Sequence, residues 1–173
     1  MTEPLSSLNP APESRAGGRL SRRFLLRAGL VGAILCAGCL RWHPAPVDLS
    51  DPAWRIRRGQ VVWHPADRDL ELVGDLLGAT TRDGRGYAHF SKSPLLVAEV
   101  RVEPDRWLAS FPFMDRRFQG SGSPPDRLAW AQWIRAAQGQ PPTGGWTFSG
   151  DLDGSWRLAH ADSGEWLEGV AEP

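Results

Sequence analysis

The side chains able to do chemistry are few and widely spaced. The four histidines, His43, His64, His89 and His160, form no i,i+4 pair and none has the Cys spacing of a zinc site. Asp151-Leu152-Asp153-Gly154 resembles the start of a calcium loop, but the remaining ligands and a twelfth-position glutamate are missing, so it reads as a hairpin turn. The carboxylate pairs Asp67/Asp69, Asp151/Asp153 and Glu165/Glu168 read as solvated turns. Gly120-Ser121-Gly122-Ser123 lacks the order of a nucleophile elbow, and no phosphate loop or dinucleotide fingerprint occurs. The expectation is a non-enzymatic protein with no catalytic residue, no metal and no cofactor. An envelope hydrolase is a third-ranked reading, and it requires a histidine and a carboxylate to converge in a cleft.

The two cysteines, Cys36 and Cys39, both fall near the end of an export-type segment, so neither can form a disulfide within the domain that follows. Ser21-Arg22-Arg23-Phe24-Leu25-Leu26-Arg27 precedes the uncharged run from Ala28 to Gly38, giving a cationic region, an apolar region and small residues in order. The heptad resembles the twin-arginine export motif, with Arg22 and Arg23 as the pair. Ala37-Gly38-Cys39 resembles the end of a bacterial lipobox, which implies diacylation of Cys39, although Leu35 stands four positions before it rather than the usual three. Two or three acyl chains, at roughly 0.8 kcal/mol per buried methylene, would make a stable anchor. The competing reading is a soluble exported protein cut nearby. Leu40 after the cysteine is not the Asp of many inner-membrane lipoproteins, so the expected location is the outer membrane, facing the periplasm.

Composition narrows the remaining classes. The 173 residues carry 20 basic and 20 acidic side chains, which leaves no electrostatic footprint for nucleic acid. A hydrophobic fraction of 41% argues against a disordered chain. Removing residues 1–38 leaves a mildly acidic chain of 135 residues, unlike a polybasic membrane binder. Nine tryptophans are the compositional anomaly: they either fill a small core or line a greasy cavity.

The positioning elements follow from periodicity. The expected organisation is an export signal over 1–38, a lipidated Cys39 with a Pro-bearing tether over 39–58, and one β-rich, monomeric domain over 59–173. Apolar residues alternate through Val61–Trp63, Leu70–Leu77, Tyr87–Ser91, Leu96–Val102 and Trp107–Phe113, as strands do. Turn residues at 82–85, 103–106, 153–154 and 162–164 predict antiparallel hairpins. Residues 123–139 read as a helix, with Ser123 as N-cap, prolines in the first turn and Gly139 at the end. Its apolar face carries Trp130, Trp133, Ile134 and Ala137, with Arg127, Gln132 and Arg135 mostly elsewhere. Three further strands, at 146–148, 155–160 and 165–170, are each expected to place a Trp on the inner face.

Ser91 to Gly139 is similar in layout to the bacterial lipoprotein-carrier family, the periplasmic carrier and outer-membrane receptor of lipoprotein sorting. Three features carry the resemblance: Ser93-Pro94-Leu95-Leu96 ahead of a strand, Trp107–Phe113 followed by Arg116–Gly120 as further strands, and Leu128–Gly139 with its Trp-Ile pair and terminal Gly. The resemblance implies a strongly curved antiparallel sheet, or open half-barrel, with a helix capping its concave face. It implies an apolar cavity formed by Trp107, Phe111, Phe113, Trp130, Trp133 and Ile134, which takes acyl chains or lipoproteins. It also implies that Leu95 or Leu96 forms an exposed apolar loop that meets membrane or cargo. The rival expectation is a lipid-anchored interaction protein with a solid core, which meets a protein partner through a sheet edge or the Gln119–Pro125 loop.

Overall fold

A computed structural model describes residues 44–66 and 68–173. The expected export pair Arg22 and Arg23, the lipidation residue Cys39, and Cys36, His43 and Asp67 lie outside the described residues.

Among the described residues nine antiparallel strands form one sheet: β1 (Arg55–His64), β2 (Leu72–Thr80), β3 (Gly86–Lys92), β4 (Leu95–Val102), β5 (Arg106–Phe111), β6 (Arg116–Ser121), β7 (Trp146–Gly150), β8 (Ser155–His160) and β9 (Trp166–Ala171). Their order is β6-β5-β4-β3-β2-β1-β9-β8-β7, so the chain runs as a meander to one edge, crosses over, and returns from the other edge until β9 meets β1. The edges β6 and β7 do not pair with each other, and the sheet is not closed into a barrel. Residues 122–145 make the crossover and carry the helix α1 (Ala129–Ala137).

The sheet is strongly curved. From α1, Trp133 reaches Trp156 of β8 at 6.1 Å, while Trp130 packs on Trp63 of β1 at 5.7 Å and Phe90 of β3 at 5.1 Å. The same helix also contacts β2 and β4. Laid flat, the six strands from β8 to β4 would span about 24 Å, against about 10–12 Å for a helix with its side chains. A sheet curved around the helix brings all of these strands within reach of its side chains.

Register explains the wrapping. The concave face takes Val61 and Trp63 from β1, Leu76 and Gly78 from β2, Ala88 and Phe90 from β3, and Ala98 and Val100 from β4. Trp107, Ala109 and Phe111 continue it on β5, as do Trp156 and Leu158 on β8 and Leu167 on β9. Four of the inward glycines each face a bulky side chain: Gly78 the Trp133 ring, Gly169 the Trp156 ring, Gly120 Trp107, and Gly86 Ile134. A Cβ at any of them would overlap its partner, so these glycines are seats that let the rings lie close to the backbone.

Several local expectations need correction. β1 begins at Arg55, so four residues assigned to the tether are paired with β2. Arg57 is 11% exposed at its side chain; its guanidinium meets Asp153 at 3.1 Å and donates to the Ala137 carbonyl at 3.5 Å. That places a cation at the negative end of α1 and explains an inward arginine in an otherwise apolar row. The helix starts at Ala129 rather than after Ser123, because the two prolines enter a turn closed by the Leu128 N–H on the Pro125 carbonyl. Its far end is as read: Gly139 at φ 76° sits in a Schellman arrangement, with its N–H on Ala136 and that of Gln140 on Arg135. Gln132, expected away from the apolar face, is buried. Trp166 is on the convex face, stacked on His64 at 5.6 Å and covered by Arg157 at 4.6 Å.

The convex face of β3 and β4 holds a polar cluster. Glu99 pairs with Arg101 at 2.6 Å, and the guanidinium lies over the Tyr87 ring, whose hydroxyl meets His89 Nδ1 at 3.2 Å. Burial, then the nearby Glu99 carboxylate, raise the Tyr87 pKa above its ordinary value of 10, while Arg101 opposes the shift. The fold therefore favours neutral Tyr87. Its contribution to stability is complete below the unfolded value and is lost as pH rises through the raised folded value. Denaturation midpoints across pH 9 to 11.5 should fall for the native chain, with a shallower fall in Tyr87→Phe; parallel curves would count against the assignment.

Candidate functional site

The residues expected to line a cavity are brought together, and they fill the space. Trp130, Trp133 and Ile134 are each 1% exposed, and Trp107 and Phe111 close the same core from β5. The space left between Trp133, Trp156, Leu152 and the inner face of β1 is about 10 Å³, at or below the volume of one water. Phe113 differs: the strand ends at Phe111, and Pro112–Met114 form a 3₁₀ turn that leaves Phe113 on the rim, 6.1 Å from Trp63 and 5.5 Å beneath Arg68. Leu95 is 65% exposed at the β3–β4 hairpin, while Leu96 is half-buried.

The concave surface opens at the β6 edge. Asp115, at φ 51°, turns the chain out of the 3₁₀ turn, so Arg116 pairs with Phe111, Phe118 with Ala109 and Gly120 with Trp107. Phe118 thus belongs to the inner face, yet it is 43% exposed because no strand lies beyond it. An aromatic row runs from the core to this edge: Trp130 to Trp63 at 5.7 Å, Trp63 to Phe111 at 5.8 Å, and Phe111 to Phe118 at 6.3 Å. At its end is a groove of about 630 Å³, whose walls include Trp107, Phe118, Pro125 and Leu128, with Arg116, Arg117 and Arg127 around them. That volume is in the range of small-molecule sites, and apolar walls beside cations suit an amphiphile with an anionic head. Sequence reading missed this groove because Arg116–Ser121 looks like polar surface; only the pairing with β5 shows Phe118 extending the core.

The loops flanking α1 are locked to it by Gln132. Its amide donates to the Asp126 carbonyl at 3.0 Å and its oxygen accepts the Thr143 N–H at 2.9 Å, while the Thr143 hydroxyl donates to Asp126 at 2.7 Å. One buried side chain thereby fixes the segment bearing Pro125, Arg127 and Leu128, the helix side of the groove.

A larger depression of about 840 Å³ lies at the other end of the sheet, between residues 52–55, 80–83 and the end of α1. The Thr81 hydroxyl there bonds Asp83, and Arg85 covers the Trp54 ring at 5.0 Å. Pro52, Ala53, Trp54 and the core residue Ala137 give the depression apolar lining, but the row of aromatic rings from the core leads to the β6 edge and not to it.

Among the described residues no three His, Cys, Asp or Glu cluster as for a metal ion, and no helix is long and apolar enough to cross a membrane. No family model matches the chain, and no curated protein is detectably similar to it in sequence.

Proposed function

We propose that this is a non-enzymatic, lipid-anchored protein of the cell envelope that binds an amphiphile, such as the acylated end of a lipoprotein, at the β6 edge of its curved sheet. The observation that carries the reading is the groove in which Phe118, Trp107 and Leu128 provide apolar wall beside Arg116 and Arg127. The acyl chain lies on Phe118 and against the end of the aromatic row, and the arginines meet the anionic head. The expected site thus moves from beneath α1 to the side of it, since the interior is occupied by Trp130 and Trp133. Exposed Leu95 and Phe113 serve as apolar contacts with membrane or cargo.

A fluorescent fatty acid titrated into the purified chain tests this. Phe118→Glu places a charge on an exposed wall and is expected to weaken binding roughly tenfold or more, an effect of about 1.4 kcal/mol, with little change in thermal midpoint. Equal binding by both forms, or none by either, would reject the groove.

The second reading, an interaction protein with a packed core, is favoured by the filled concave face itself. Gln119–Ser121, expected in a loop, are part of the β6 edge strand, so a partner would meet a strand edge there. Absence of any acyl adduct in native mass spectrometry of envelope-purified protein, together with a co-purifying protein, would favour it.

A further inference from the structure

Residues 44–54 were expected to be a free tether, yet they are tied to the domain at several points. The Arg101 guanidinium donates to the Ala45 carbonyl, and Arg101 is itself held by Glu99 and by the Tyr87 ring. Asp48 accepts from the N–H and hydroxyl of Ser50, and Asp51 from the Ala53 N–H, which gives the segment turns in place of an extended path. The Asp51 carboxylate lies 3.8 Å from Arg85, which covers Trp54, the last residue before β1. From these contacts we infer that residues 44–54 are an orienting strap that turns the outer face of β4–β6 toward the lipid surface to which Cys39 is attached. The inference rests on the lipid-anchor reading above.

The argument is one of reach. Cys39 and Ala45 are six residues apart, and six residues span at most about 20 Å. A domain of this size has a radius of gyration of about 14 Å and a width of roughly 35 Å. Ala45 is pinned over β4, so β4 and its neighbours β5 and β6 are within range of the bilayer. In the strand order β8 lies five strands from β4, and in a curved sheet its outer face points the opposite way. The strap therefore puts Arg117 and Gln119, on the outer face of β6 behind the groove, next to headgroups, and turns Ser155 and Arg157 of β8 away. An unpinned tether would select neither side.

The full chain carrying Cys36→Ser, coupled through Cys39 to a maleimide lipid in phosphatidylcholine vesicles containing a photoreactive-headgroup lipid, tests this. Coupling supplies the anchor chemically, so the result does not depend on acylation in cells, which the mass of the envelope-extracted protein reads separately. Cross-links mapped by mass spectrometry should favour Arg117 and Gln119 over Ser155 and Arg157 by roughly fivefold or more, given the difference in reach. Arg101→Ala with Arg85→Ala should even out the distribution. So should inserting about ten Gly and Ser residues between His43 and Pro44, which extends the reach to roughly 55 Å without touching the strap's contacts. Equal labelling of both sides in the unmodified strap, or a bias that survives the insertion, would overturn the inference.

Discussion

Trp133→Ala should destabilise the domain by about 3–5 kcal/mol, the cost of removing a large buried aromatic from a core that cannot collapse around the void. Trp133 is 1% exposed, rests on Gly78 and packs against Trp156 at 6.1 Å, so its loss unseats contacts to both halves of the sheet at once. Urea denaturation should show the midpoint falling at unchanged slope. The partner substitution gives the sharper result. A Cβ on Gly78 would occupy the space of the indole, so Gly78→Ala in the native background should cost about 1–3 kcal/mol by overpacking. Made together with Trp133→Ala, the same methyl enters empty space and should cost far less, with a coupling of about 1 kcal/mol or more. If Gly78→Ala costs the same in both backgrounds, the glycine is not acting as a ring seat.

The second large effect is expected at Gln132. Gln132→Leu keeps the volume but leaves the Asp126 carbonyl and the Thr143 N–H without their partner, at about 2–4 kcal/mol for the pair. Because the network joins the two flanks of α1, the loss should spread: faster amide exchange at Thr143, and weaker amphiphile binding at the groove whose helix-side wall includes Pro125, Arg127 and Leu128. Thr143→Val removes the hydroxyl's bond to Asp126 and its longer one, at 3.4 Å, to the Gln132 oxygen, while keeping the Thr143 N–H on Gln132, and should cost nearer 1 kcal/mol. If Gln132→Leu is as stable as the native chain, the staple role is wrong.

These two positions also show what the sequence could and could not reveal. Alternation is strong wherever one face is buried and the other wet, which is why β4 and most of β5 read correctly, and Gly139 announces the helix end because a left-handed residue is needed there. Gln132 reads as solvent-facing because a buried amide is recognisable only once both loops that it joins are in place. Gly78, Gly86, Gly120 and Gly169 each look like a weak point in a strand; they become meaningful only when the register sets an indole or an isoleucine opposite each one. Arg55–Arg58 has the charge of a linker, and nothing local reveals that Arg57 serves the helix C-terminus. The tryptophans were legible as an inner lining on β5, α1, β7 and β8, but whether they surround a space or occupy it depends on sheet curvature, which no short window encodes. The groove at Phe118 was illegible for the same reason: exposure at a sheet edge depends on which strand is missing beside it.

The pairing of β1 with β9 places the first and last of the described strands side by side in the interior of the sheet, where Trp63 meets Leu167 across 104 positions of sequence. Such a contact closes a very long loop, so the meander β1–β6 can form early while β7–β9 must find an edge already made. Until Trp166–Ala171 docks, β1 and β8 each present an unpaired edge, the kind of surface on which unfinished β proteins associate with one another. A chain interrupted before Trp166 should therefore aggregate rather than fold into a smaller sheet, and the slowest folding step should report on β9 and not on the helix.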